Sequence, residues 1–489
     1  MLTRRGFLAA SGLAACWPCS RALAQTGGVV VNDLHSQLTA TRVNRIVVPG
    51  SLDAVRQTFA AARKERRGVC ISGGRHAMGA QAFATDGVML DIRKLDRVLN
   101  FDTARGVIEV ESGMQWPALL AYLTESQRGQ ARAWTFAQKQ TGADRLTIGG
   151  CLAANVHGRG LKMAPFVADV ESFRLLDARG DLVTCSRSNN AELFSLAIGG
   201  YGLFGFIYSV TLKLVLRRKL QRVVEIGDIG KLPGAFARRI DEGFLYGDFQ
   251  YAIDDQSDDF MNRGVFSCYR PVDDSTPIPA ARKELSEQHW TDLLHLAHAG
   301  KSQAFKQYAD YYRSTDGQIY WSDEHQMSIY PENYHAALDR KLKSRHKATE
   351  LITEIYCERD ALPRFFADVR EDFRRHQVNV IYGTVRLIEP DRESFLPWAK
   401  AAYACTIFNL HVVHTGEGLR HAANAFRRLI DLGIRHGGSY YLTYHKYATR
   451  KQVETCYPRF AEFLRLKHKH DPGELFQSDW YRHYRGMFA

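Results

Sequence analysis

The chain has 489 residues, 45% of them hydrophobic and 24% charged, a balance that excludes an extended disordered protein and supplies mass for two cored domains. Its formal net charge is +12. The basic clusters, Arg217-Arg218-Lys219 and residues 341–347, carry neither interleaved aromatics nor a nucleic-acid-binding motif, so they read as solvated faces and no nucleic-acid partner is expected.

The N-terminus places Arg4 and Arg5 ahead of Gly6-Phe7-Leu8 and a short apolar run that ends at Ala22-Leu23-Ala24, a small-x-small cleavage pattern. The run is too short to cross a bilayer, so no integral membrane span is expected. The paired arginines resemble a twin-arginine export signal over residues 1–24, which carries proteins already folded and often loaded with a cofactor. An ordinary secretory leader is the alternative, and either makes the protein periplasmic or secreted. Leu13-Ala14-Ala15-Cys16 also fits a lipoprotein site, but cleavage after Ala24 suits both the apolar run and its polar exit. Loss of Arg4, Arg5 and Arg21, with no acid, takes the net charge from +12 to +9. The seven cysteines that remain are odd in number and form no CxxC pair, so neither a disulfide framework nor a zinc site is indicated.

After Asn44 the chain reads RIVVPGSLDAVRQTFAAARKERRGVCISGG, which predicts a strand, a Pro-Gly turn, a helix capped by Ser51 and a second strand ending in glycines. Strands are predicted at residues 88–91 and 107–111 and a helix at 116–123. A hairpin follows, with strands at 170–176 and 182–184 about a turn at 177–181. A β-branched strand at 207–216 closes this half. Beyond Arg217 the texture changes to longer polar helices and strand-like runs at 244–253, 352–357 and 378–388, and a second domain is expected over 217–489. Its tail has a helix from Cys456, a stop at His470-Asp471-Pro472-Gly473 and an aromatic-rich end.

Three glycine strings stand out: ISGGRHAMG at 71–79, TIGGCLAANVHGRG at 147–160 and AIGGYGLFGFI at 197–207. Glycines and small residues packed this densely let a backbone wrap closely around a large ligand, and successive N–H groups of the first string suit a pyrophosphate. A structural turn after a strand would account for that string equally well when it is taken alone. It is not the GxGxxG pattern of a nicotinamide site, because no acidic residue stands at the required distance past an opening helix.

The order and spacing of the three strings resemble the PCMH-type FAD-binding domain of the vanillyl-alcohol-oxidase superfamily, nearest to the branch of aldonolactone and alditol oxidases and decaprenylphosphoryl-ribose oxidase. The resemblance covers about residues 40–216 and only patches of the rest. It implies an α+β fold, with a two-subdomain FAD domain followed by a substrate (cap) domain whose antiparallel sheet is flanked by helices. The C-terminal tail would return to the flavin domain. It implies FAD as cofactor, with Ser72, Gly73, Gly74, Arg75, His76 and Gly79 as the pyrophosphate loop. Gly142, Thr147, Ile148, Gly149, Gly150, Ala154, Asn155, Val156 and His157 would line the isoalloxazine and diphosphate, and Ile207 the adenine side. A histidine that only supports a loop is the alternative for His157. Many relatives bond the flavin to a histidine of the first string. An ungapped match puts Arg75 there, so His76 is the candidate for covalent attachment if the loop shifts by one residue, and the cofactor is held non-covalently otherwise.

Oxidising an alcohol with a flavin needs an acceptor for the hydroxyl proton and donors that stabilise the reduced ring. In the strand VNVIYGTVRLIEPD, Arg386 resembles the strand arginine that aldonolactone and alditol oxidases bring to flavin and substrate; a surface arginine paired with Glu389 or Asp391 is the alternative. Thr384 stands where those oxidases often place a glutamate. The stretch from Gly437 to Tyr457-Pro458-Arg459 resembles the decaprenylphosphoryl-ribose enzyme and puts Tyr441 at a flavin contact and Tyr444 at a lysine position, with His445 and Lys446 adjacent. Tyr444, His445 and Lys446 are therefore taken together as catalytic candidates beside Arg386. His411 and His414 alternate on an expected strand and read as packing or surface histidines. No residue set indicates a metal.

The function so implied is an exported FAD-dependent oxidoreductase. It would move hydride from a CH–OH group of a sugar, aldonolactone, polyol or related hydroxy compound to the flavin, and then to oxygen or another electron acceptor. Val156 beside the flavin favours an acceptor other than oxygen. A non-catalytic exported flavin- or carbohydrate-binding protein is the alternative.

Overall fold

The computed structural model describes residues 28–328 and 334–489. The N-terminal export signal, with Arg4, Arg5 and Cys16, lies outside the described residues. Helices and strands are mixed throughout. Ser51 caps helix Leu52–Lys64 through its Oγ, which accepts from Ala54 N. Val55, Phe59 and Ala62 of this helix bury one stripe. The helix crosses between Arg45–Val47 and Val69–Ser72, which both pair in parallel with the central strand Val88–Asp91. The first glycine string leaves this small sheet at the C-terminal end of Val69–Ser72, a position where open α/β sheets bind ligands.

A five-stranded antiparallel sheet follows, in the order Leu182–Ser186, Val170–Leu176, Phe206–Lys213, Val107–Glu111, Val98–Asp102. The second glycine string forms a short helix, Ile148–Ala154, capped by Thr147, and Asn155 ends it with a left-handed φ of 49°. Its density of glycine reflects packing: a Cβ at Gly149 would lie 2.6 Å from the Ser112 Cβ.

A seven-stranded antiparallel sheet dominates the second half. Its last four strands in order are Tyr246–Tyr251, Val380–Ile388, Tyr403–Val413 and Ala348–Glu358. Alternation divides the last strand cleanly. Thr353 and Ile355 face helix Gly416–Arg435, whose Gly433 would bring a Cβ within 2.6 Å of Ile355. Glu350, Ile352 and Glu354 share the opposite face, where Ile352 and Glu354 meet the glycine strings. The C-terminal tail runs back to the small parallel sheet, where Val69 N donates to Leu475 O and Gln477 N to Val69 O. The seven described cysteines are all buried and free. Among the described residues no helix is long and apolar enough to cross a membrane.

Candidate active site

A cleft lies where the three glycine strings meet the large sheet. The first and second strings touch directly, since a Cβ at Gly73 would stand 2.2 Å from Thr147 Oγ1. The backbone N–H groups of Gly74, Arg75, His76 and Ala77 find no acceptor among the described residues. Such a row of unspent donors fits an anionic group. At the start of the second string the donors are spent: Ile148 N and Gly149 N donate to Met114 O and Ser112 O, and Gly150 N to Thr147 Oγ1.

Gly73, Gly74, Arg75, His76, Gly142, Thr147, Gly149, Gly150, Ala154, Val156, His157, Ile207, Tyr441 and Tyr444 all line the cleft. Ser72, Gly79, Ile148 and Asn155 do not. Gly79 N is held by Gln81 Oε1. Ile148 packs into the core of the five-stranded sheet. Asn155 braces the second half of the chain, with Nδ2 donating to Asp391 and its carbonyl accepting from Trp398 Nε1. His76 Nδ1 lies 2.8 Å from His35 Nε2, and burial followed by the repulsion of His35 pushes its pKa down to about 3, so this ring stays neutral.

At the wall opposite the strings stands Glu354, which the sequence reading missed. Its side chain is 1% exposed. Tyr444 donates to its Oε1 at 2.6 Å, while Tyr356 donates to Oε2 at 3.0 Å and His157 Nε2 lies 2.8 Å from the same oxygen. Burial alone would raise the pKa of this carboxyl. The charge and hydrogen bond of His157, the bond from Tyr444 and the charge of Arg386 outweigh it and hold the pKa at about 2. His157 Nδ1 faces the Gly158 carbonyl at 2.9 Å. Both ring partners are acceptors, so the arrangement calls for a hydrogen on each nitrogen. Burial, then the negative charge of Glu354, raises the Tyr444 pKa well above its ordinary value, so this residue is a phenol donor and not a phenolate.

Arg386 is buried, not a surface arginine. Glu389 pairs with Arg359, and Asp391 accepts from Asn155 and Ser394. Arg386 opposes Cys405 in the ladder and shares a sheet face with Glu354. Adjacent positions of that face, Asp248, Gln250, Thr384 and Asn409, are polar as well. Asp248 Oδ1, Thr384 Oγ1, Arg386 Nε and Asn409 Oδ1 are buried without hydrogen-bond partners among the described residues. None of these four residues is among those that line the cleft.

His445 does not join this site. Its Nε2 meets Thr353 Oγ1 at 3.1 Å on the helix side of the sheet, and its ring packs on Phe426. Burial, followed by the charge of Arg427, lowers its pKa to about 3. Lys446 is half-buried and does not line the cleft. Of the three adjacent candidates, only Tyr444 reaches it.

The sequence pattern that defines the FAD binding domain family matches residues 43–186. These residues form a PCMH-type FAD-binding domain. FAD is therefore the cofactor of the cleft. The chain is 35% identical to bovine (Bos taurus) L-gulonolactone oxidase over 174 residues, 35% of this chain and 38% of that protein. It is 26% identical to L-gulono-1,4-lactone dehydrogenase of Mycobacterium tuberculosis over 446 residues, 90% of this chain and 96% of that protein. A rice (Oryza sativa subsp. japonica) mitochondrial L-galactono-1,4-lactone dehydrogenase is 28% identical over 39% of this chain and 32% of that protein. The match thus spans little more than a third of the bovine enzyme but nearly all of the mycobacterial one.

Proposed function

We propose that this chain is an exported FAD-dependent dehydrogenase that oxidises a CH–OH group of an aldonolactone, sugar or polyol. The observation that carries this reading is Glu354: an ionised carboxylate buried in the cleft wall, tied to Tyr444 and His157 and facing the FAD-binding strings. FAD, when bound, accepts the hydride. Tyr444 lines the cleft, and its oxygen, with its own hydrogen turned to Glu354, is suited to accept a hydrogen bond from the substrate hydroxyl, while the positive charge of Arg386 lies on the same sheet face. The names of the relatives, gulonolactone and galactonolactone enzymes, support lactones as the first substrates to try.

Export rests on Arg4, Arg5 and Ala22-Leu23-Ala24. An acceptor other than oxygen is supported by Val156, a branched side chain on the cleft wall, and rapid reoxidation of the reduced protein in air would sink that part. If the flavin is bonded to the protein, His76 is the anchor through Nε2, since His35 occupies Nδ1. Flavin that stays with an acid-precipitated pellet in the wild type but not in His76→Ala reads this directly. A dye-coupled screen of L-gulono-1,4-lactone, L-galactono-1,4-lactone, aldoses and polyols tests the main reading. Turnover with at least one is expected, and none with any donor would count against it.

A further inference from the structure

Beyond the cleft, the same sheet face carries a second buried carboxylate that the proposed reaction does not use. Glu350 stands four residues before Glu354 and opposes His411 directly in the ladder. His298 reaches it from helix Glu287–Ala299, and His335 from the start of helix His335–Leu342. The side chains of Glu350, His298 and His335 are 3%, 5% and 4% exposed.

The distances separate two roles. His298 Nε2 lies 3.4 Å and His411 Nδ1 3.6 Å from the same oxygen, Glu350 Oε1, and neither nitrogen nor that oxygen has a hydrogen-bond partner among the described residues. These gaps are longer than the roughly 2.7–3.2 Å of an N–H···O bond. They match the spacing of about 3.3–3.4 Å between neighbouring ligands of a tetrahedral ion with bonds of about 2.0–2.1 Å. One ligand atom each from His298, Glu350 and His411 lies within 4.8 Å of the others. The other oxygen, Oε2, accepts from Tyr334 at 2.5 Å, while His335 Nδ1 lies 2.8 Å away without a hydrogen bond among the described residues. A metal-binding carboxylate is commonly held by an outer partner in this manner.

We propose that His298, His411 and Glu350 form a binding site for a divalent transition-metal ion, with His335 and Tyr334 orienting the carboxylate. Two imidazoles and one carboxylate suit zinc and its first-row neighbours rather than calcium or magnesium. The ion would tie helix Glu287–Ala299 to strands Ala348–Glu358 and Tyr403–Val413, and a fourth position would remain for water.

The test uses the FAD-loaded full chain, stripped with a chelator and titrated with Zn2+ by calorimetry, with metal content checked by mass spectrometry. Stoichiometric uptake and a rise in melting temperature are expected. His298→Ala and His411→Ala should abolish uptake while FAD stays bound, and His335→Gln should weaken it roughly 10–100-fold. Co2+ added to the stripped wild-type protein gives a readout that does not depend on any variant folding: visible bands of a low-symmetry histidine and carboxylate site should appear. Absence of both Zn2+ uptake and cobalt bands in the wild type would overturn the proposal. So would Zn2+ affinity unchanged in folded, FAD-loaded His298→Ala and His411→Ala.

Discussion

The phenol of Tyr444 donates to Oε1 of Glu354 at 2.6 Å, joining the segment after the Gly437 turn to the wall of the FAD cleft. The other oxygen of the same carboxylate meets His157 of the second glycine string at 2.8 Å. One buried anion thus connects three parts of the chain that are far apart in sequence.

Replacing that anion isolates its chemical role. Glu354→Gln keeps the shape but removes the charge that holds Tyr444 and His157 in place, and we expect flavin reduction by a hydroxy donor to slow by about 10²-fold. FAD content should be unchanged, because the donors of the Ser72–Ala77 loop are untouched. Single-turnover reduction followed at the flavin band checks both points.

Tyr444 and His445 are neighbours with opposite fates. Tyr444→Phe removes the donor to Glu354 and should slow flavin reduction by at least about tenfold. His445→Gln alters a packed, neutral ring on the far side of the sheet and should leave the rate of reduction unchanged. Equal losses in the two variants would contradict the placement.

Acid should expose the stabilising role of Glu354. Its carboxyl is held at about 2 in the folded chain, against 4.5 as the ordinary value. A folded pKa below the unfolded one means that the ionised group stabilises the fold fully above pH 4.5, by on the order of 3 kcal/mol. That contribution fades as pH falls toward 2. The melting temperature of the wild type should therefore exceed that of Glu354→Gln at neutral pH, and the gap should close through this acid window. A gap that does not change with pH would refute the assignment.

The contact between the first two glycine strings leaves no room for a side chain. A methyl at Gly73 would press on Thr147, whose Oγ1 also caps the Ile148–Ala154 helix. Overpacking of this kind costs about 1–3 kcal/mol, so Gly73→Ala should weaken FAD retention by about tenfold or more. The ratio of flavin to protein absorbance after gel filtration measures this.

The glycine strings were legible in the sequence because their requirement is local: close backbone approach excludes side chains wherever the partner lies. The strands were legible for a similar reason, since alternation and β-branching act over a few residues. Glu354 was not, because its partners His157 and Tyr444 come from 197 and 90 residues away. A faint signal did exist, a carboxylate set in the apolar run LITEIYC, where an acid must be paired or functional. The choice among Tyr444, His445 and Lys446 depended on which way an irregular segment turns at each residue, and no periodicity governs that. The helix of the second string was hidden for another reason. Its glycines disfavour a helix, but Thr147 capping and packing against Ser112 outweigh that preference.

The most direct measurement is anaerobic mixing of the purified flavoprotein with L-gulono-1,4-lactone and L-galactono-1,4-lactone, watching the visible flavin band in wild type and Glu354→Gln. The account predicts that at least one lactone bleaches the wild-type band and that the variant, equally loaded with FAD, bleaches far more slowly. A wild-type band that stays oxidised with lactones, aldoses and polyols alike, while dithionite still reduces it, would contradict the account.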